Sequence, residues 1–219
     1  MNKFFIFLAL LVAAGAASIF LWSCCDRNLW RNGPRPAEVP PAQTQTPQTA
    51  APAPAARNRM HRITLATSFG DVAFETYDAD APKAVENFIA LAKKGFYNGL
   101  TFHRIVKGFV IQRGDPKGNG SGGPGYTFED ELNPDTESAK IGYRKGAVAM
   151  ANSGPDTNGS QFFVTLADLN NRLPHNYTIF GTVVSGQDAV DRMGGVRVDS
   201  GDKPIEPVLI KSVTVENTP

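Results

Sequence analysis

Few side chains in this sequence stand in patterns that could do chemistry. His61, His103 and His175 lack metal-ligand spacing, and no serine, histidine and carboxylate fall into a nucleophile arrangement, so no metal site and no triad are expected. Gly118, Gly120 and Gly123 satisfy G-x-G-x-x-G, but Pro116 and Pro124 bracket them and no helix pattern follows. That stretch therefore reads as a flexible loop and not as a dinucleotide fingerprint. Cys24 and Cys25 are adjacent and precede the globular part, which leaves no disulfide framework. Arg104 stands in the run Phe102-His103-Arg104-Ile105-Val106-Lys107-Gly108-Phe109-Val110-Ile111-Gln112. Its guanidinium is permanently charged and presents several donors in one plane, which suits electrostatic donation and not proton transfer. His103 beside it reads as a structural strand residue.

The elements that must position Arg104 begin at Arg62. Ile63–Thr67 and Val72–Thr76 are β-rich and flank a Ser68-Phe69-Gly70-Asp71 turn, the pattern of a hairpin. Pro82 stands where proline opens a helix. Val85, Phe88, Ile89 and Ala92 then recur at helical spacing, with Lys93, Lys94 and Gly95 at the closing end. Further β-rich runs lie at Thr101–Ile105, Phe109–Gln112, Ala147–Ala151, Phe162–Leu166, Thr178–Val184 and Val208–Val215, with a short helix near Gln187–Met193. Many strands and two helices predict a mainly β fold, a closed antiparallel barrel with helices over its open ends. At 219 residues, part of them plainly not globular, one domain is expected. A net charge of +1 with interleaved signs gives no reason to expect nucleic acid. No heptad or apolar face calls for more than a monomer.

Residues 1–25 read as a signal peptide or membrane anchor. Phe4 to Trp22 is continuously apolar or small and follows Lys3. Leu21-Trp22-Ser23-Cys24 resembles a bacterial lipoprotein processing site, so Cys24 is a candidate for lipidation. An uncleaved transmembrane anchor is the alternative. Residues 26–61 are rich in Pro, Ala, Gln and Thr and cannot bury enough apolar surface to fold, which predicts a semi-rigid spacer ahead of a domain at 62–219. These features predict an exported protein, tethered to a bacterial membrane on its periplasmic or cell-surface side.

Three stretches carry a resemblance: Phe102 to Gln112, then Gly146-Ala147-Val148-Ala149-Met150-Ala151-Asn152, then Asn158-Gly159-Ser160-Gln161-Phe162-Phe163. In order and spacing they resemble the cyclophilin family of peptidyl-prolyl cis-trans isomerases. Glu86-Asn87-Phe88, Gly123-Pro124-Gly125-Tyr126 and Ile179-Phe180-Gly181 extend the likeness over residues 62 to 216. The resemblance implies an eight-stranded antiparallel barrel capped by two helices, acting on proline-containing polypeptides without cofactor or metal. It implies that Phe109, Val110, Phe163 and Leu173 line a proline pocket. Gln112 and Gln161 would then position substrate carbonyls, and Ala151 and Asn152 would offer backbone groups. Arg172 stands where animal cyclophilins that bind cyclosporin carry tryptophan, and Tyr177 where they carry histidine, which argues against drug binding. Tyr177 with Leu173 looks like bacterial members, and tyrosine can still offer a hydroxyl and a ring face to substrate. Arg113 replaces a common glycine and is expected at the rim.

The chemistry such a site must do is limited. Rotation about the amide before proline faces a barrier of roughly 18–20 kcal/mol, and no covalent bond breaks. The site need only bind the twisted amide more tightly than either planar form. Five orders of magnitude require ~7 kcal/mol of such preference. As the amide twists, the proline nitrogen regains a localised lone pair, so a fixed donor aimed at it gains strength only in the transition state. Arg104 is the candidate for that donor. The expected role is assistance to the folding of exported or envelope proteins; the alternative is a module that binds proline segments with little turnover.

Overall fold

The computed structural model describes residues 60–217. The signal, anchor and Cys24 expectations, and nearly all of the spacer, lie outside the described residues. The chain forms β1 (His61–Thr67), β2 (Gly70–Thr76), α1 (Pro82–Lys93), β3 (Arg104–Val106), β4 (Val110–Arg113), α2 (Glu137–Ile141), β5 (Ala147–Met150), β6 (Phe162–Thr165), β7 (Ile179–Ser185), α3 (Gln187–Gly194) and β8 (Ile210–Asn217). All eight strands join one sheet in the order β3-β4-β6-β5-β7-β2-β1-β8, with every neighbouring pair antiparallel.

Local chemistry explains the elements. The β1–β2 turn closes through the Thr67 hydroxyl, which donates to Gly70 O at 2.5 Å and accepts from Phe69 N at 3.0 Å. Gly70 sits at φ +115°, a conformation that side chains resist. Helix α1 starts with Pro82 but has no side-chain cap of its own at Ala81. Glu131 supplies one from a distant loop, its two carboxylate oxygens accepting from Lys83 N and Ala84 N at 3.0 Å each. The buried face of α1 delivers Phe88 to an aromatic cluster. Its ring stacks on Tyr97 at 4.7 Å and meets Phe162 edge-on at 5.3 Å and Phe74 edge-on at 5.5 Å. Helix α3 adds Ala189, Val190 and Met193 to the same core.

Two expectations change here. The predicted closed barrel is not formed by a strand ladder, because β3 and β8 end the sheet and do not pair with each other. The sheet curls until residues just outside β3 meet the other end: Phe102 N donates to Val208 O and Gly99 N to Ile210 O, both at 2.9 Å. The chain between α1 and β3 runs through turns, and β3 itself has only three residues, all of them paired with β4. Among the described residues helices number three, not two: α2 spans five residues, shorter than hydrophobic periodicity can register. Thr136 caps it by accepting from Ala139 N at 3.3 Å, and Asp80 accepts from Ser138 N at 2.8 Å.

Candidate active site

Alternation along β3, β4 and β6 sorts side chains onto two faces. Ile105, Ile111, Phe162 and Val164 join the main core inside the curl. Val110 and Phe163 turn outward to a second, smaller apolar cluster, against which Phe109, Ala151, Leu173 and Tyr177 pack. Both faces are therefore covered, which is why β5 and β6 are buried at every position. The register pairs Arg104 with Gln112 and Gln112 with Phe163, so the three lie side by side across adjacent strands.

Arg104, Phe109, Val110 and Gln112 from the β3–β4 unit, Ala151, Asn152 and Phe163 from around β5 and β6, and Leu173 and Tyr177 from the following loop surround one cavity of about 210 Å³. Gln161 is the exception. It lines a neighbouring cavity of about 690 Å³ that shares Gln112, Ala151 and Asn152 but has no arginine in its wall. The two cavities thus join along Gln112 and the 151–152 backbone.

Polar contacts tie the site together. Arg104 Nη1 donates to Gln112 Oε1 at 3.4 Å, and Gln112 Nε2 donates to Gln161 Oε1 at 3.0 Å. Gln161 Nε2 donates to Gly120 O at 2.9 Å and Gly122 O at 2.8 Å. Both N–H groups of the Gln161 amide are thereby taken by the glycine-rich loop, while its oxygen accepts from Gln112. Asn152 Nδ2 donates to Asn176 O at 2.9 Å, and Ala151 N donates to Gln161 O at 2.9 Å.

The glycine-rich loop is built around Asp115, which is 1 % exposed. Its carboxylate accepts from Lys117 N at 2.6 Å, Asn119 N at 2.9 Å and Gly120 N at 2.5 Å. Burial pushes this carboxyl's pKa up, but bonds from the backbone of Lys117, Asn119, Gly120 and Gly122 outweigh it and hold the pKa below the ordinary value. A side chain at Gly122 would collide with that carboxylate. Far from being a loose phosphate cradle, the G-x-G-x-x-G stretch is wrapped round an acid.

Several residues that matter here escaped the sequence reading. Asp202 Oδ2 faces Arg104 Nε at 3.7 Å. Its backbone holds φ +64°, and its carbonyl accepts from Ile105 N at 2.8 Å, so the carboxylate is anchored beside β3. Tyr143, 2 % exposed, donates from its hydroxyl to Tyr177 O at 2.8 Å and accepts from Tyr177 N at 3.0 Å. Burial pushes the Tyr143 phenol up to about 12. Asp202 lies too far from Arg104 in sequence for spacing to reveal it, and Tyr143 reads as one more core aromatic.

Arg113 is not at the rim. It follows Gln112 on β4, so alternation turns it inward, where it is fully buried. Its Nη2 donates to Tyr97 O and Leu100 O at 2.8 Å each, and its Cζ lies 5.1 Å from the Phe102 ring centroid. Burial pushes its pKa down to about 9, which still leaves it charged at neutral pH. His103, 6 % exposed, has its pKa lowered chiefly by burial, and neither ring nitrogen has a hydrogen-bond partner among the described residues. It is a neutral, packed histidine.

A small apolar notch with a guanidinium at its edge, opening into a wider groove, could hold a peptide and turn it without breaking a bond. Comparison with known proteins gives the family. Residues 62–215 match the family model described as cyclophilin type peptidyl-prolyl cis-trans isomerase/CLD. The chain belongs to this family and is a peptidyl-prolyl cis-trans isomerase. It is 47% identical over 160 residues to peptidyl-prolyl cis-trans isomerase ppi1 of Schizosaccharomyces pombe, covering 71% of this chain and 100% of that protein. It is 50% identical over 151 residues to peptidyl-prolyl cis-trans isomerase-like 1 of Homo sapiens, covering 68% of this chain and 88% of that protein. A solved Cryptosporidium parvum cyclophilin type isomerase superposes with a TM-score of 0.67 at 37% identity, over 73% of this chain and 99% of that one. The same protein has been solved in the presence of the dipeptide Ala-Pro, with a TM-score of 0.66.

These relatives overturn the expectation of a bacterial, exported, membrane-tethered protein. The proteins named are fungal and human. Leu173 with Tyr177 suggested a bacterial origin, but two residues that shape a pocket report what the pocket holds, not lineage.

Proposed function

We propose that Arg104 is the fixed donor to the proline nitrogen as the X-Pro amide twists, within a pocket formed by Phe109, Val110, Phe163, Leu173 and Tyr177 that grips the ring. Gln112 holds the guanidinium on one side and Asp202 on the other, so little reorganisation accompanies the reaction. Asn152 and the Ala151 carbonyl receive the extended peptide, and Gln161 acts through Gln112. Residues 62–219 serve as the isomerase domain and 26–61 as a spacer, the latter supported by composition alone. The activity serves folding of proline-containing polypeptides, and the Ala-Pro dipeptide used with the Cryptosporidium parvum relative supports that substrate class.

The observation that carries this reading is the cross-strand row Arg104–Gln112–Phe163 at the edge of one small cavity. Isomerisation of an Ala-Pro peptide by the full chain, followed by a protease-coupled assay, should lose about 10²- to 10³-fold in kcat/KM on Arg104→Ala, the effect expected for one aimed donor. Unchanged turnover would remove Arg104 from the mechanism.

A further inference from the structure

Arg172 plays no part in the site as assigned above, yet it is fixed at its edge. Its Nη1 donates to Gly108 O at 3.2 Å, and its Cζ lies 5.5 Å from the centroid of the Phe109 ring that lines the pocket. The guanidinium is thus held on the β3–β4 turn by a neutral carbonyl and a ring face, contacts that leave its charge uncompensated. Lys107, the neighbour of Gly108 in that turn, is exposed. Among the described residues neither cation pairs with a carboxylate, whereas Lys83, Lys145 and Arg192 pair with Glu129, Asp191 and Asp188.

We propose that this cationic lip reads an anionic side chain flanking the substrate proline, so that the enzyme favours proline segments with an acidic or phosphorylated residue within two positions of the ring. The inference rests on the isomerase reading of the 210 Å³ cavity, since the Phe109 ring that the Arg172 guanidinium overlies lines that cavity. A planar guanidinium suits carboxylate and phosphate alike, as both accept its forked N–H groups. Because the lip is open to solvent, the effect is one of selection among substrates and depends on salt.

The test uses the full chain and short Ala-Pro peptides in which Glu, phosphoserine, Ala or Lys occupies each position within two residues of proline. At one position or more, kcat/KM should favour Glu or phosphoserine over Lys by about three- to fivefold, the size an exposed pair supports. That ratio should shrink at high salt, fall in Arg172→Gln and vanish once Lys107→Gln is added to it. Each ratio is taken between peptides within one variant, so loosening of Phe109 cancels. Preference for Glu alone or phosphoserine alone supports the lip and identifies its ligand. No charge preference in the parent, or a preference that survives both variants, overturns the inference while neutral peptides still turn over. Failure of every peptide would overturn the isomerase reading itself.

Discussion

Arg104 is held at Nη1 by Gln112 and at Nε by Asp202, and the second contact is the more easily altered without disturbing the pocket. Both side chains of that pair are two-fifths or more exposed, so the pair contributes little to stability and its effect is on orientation. Asp202→Asn keeps shape and tolerates the positive φ while removing the charge. Steady-state assays should show kcat falling about two- to fivefold with KM nearly unchanged. A rise in KM alone would mean that Asp202 touches substrate and does not orient Arg104. Arg104→Lys should not restore Arg104→Ala, because an ammonium is a point charge without the planar fork. At this scale the matched motifs singled out Arg104, Gln112 and Phe163, which the strand register sets side by side. Arg113 was misplaced although strand parity was available in the sequence: with Gln112 outward, its neighbour must point in. Nothing local could reveal Asp202, which arrives from a remote loop.

At the scale of elements, α1 was legible from Pro82, its apolar spacing and Lys93, but its cap was not. Glu131 joins the helix from a loop 47 residues away, as its bond to Ala84 N shows. Its own N–H donates to the Thr178 hydroxyl at 2.8 Å, which ties the start of α1 to the approach to β7. Glu131→Ala leaves two helix-end donors without this acceptor and should cost about 1 kcal/mol. Thermal unfolding should show Tm lowered by about 2–4 °C. An unchanged Tm would mean that water caps the helix equally well. Helix α2 stayed hidden because five residues carry no periodic signal. Its Thr136 cap and Gly142 exit are visible only once the helix is known.

At the scale of the molecule, two buried groups give stability the same dependence on pH. His103 has a lowered pKa, so between its folded value and the unfolded value of about 6.5 the unfolded chain binds more protons, and stability falls as pH falls through that window. The lowered pKa of Asp115 contributes stability present above about 3.9 and lost as pH drops through the folded value. Melts from pH 7 to 3 should show a decline beginning near 6.5 and steepening below 4, with the lower limb weakened in Asp115→Asn. A profile flat to pH 3 would contradict both assignments. The mainly β architecture was legible because β5 and β6, covered on both faces, read as continuous apolar runs, while β1 alternates buried and part-exposed residues. The open ladder was not, because the bonds between Phe102 and Val208 and between Gly99 and Ile210 are tertiary contacts without a pattern of their own. The central claim is that Arg104 favours the twisted amide over both planar forms. NMR exchange on an Ala-Pro peptide reports affinity and interconversion rate together. Arg104→Ala should keep Kd within about threefold of the parent while the rate on the enzyme falls about 10²-fold or more. Equal losses in affinity and rate would show that Arg104 binds the planar substrate as strongly as the twisted one, and would contradict the account.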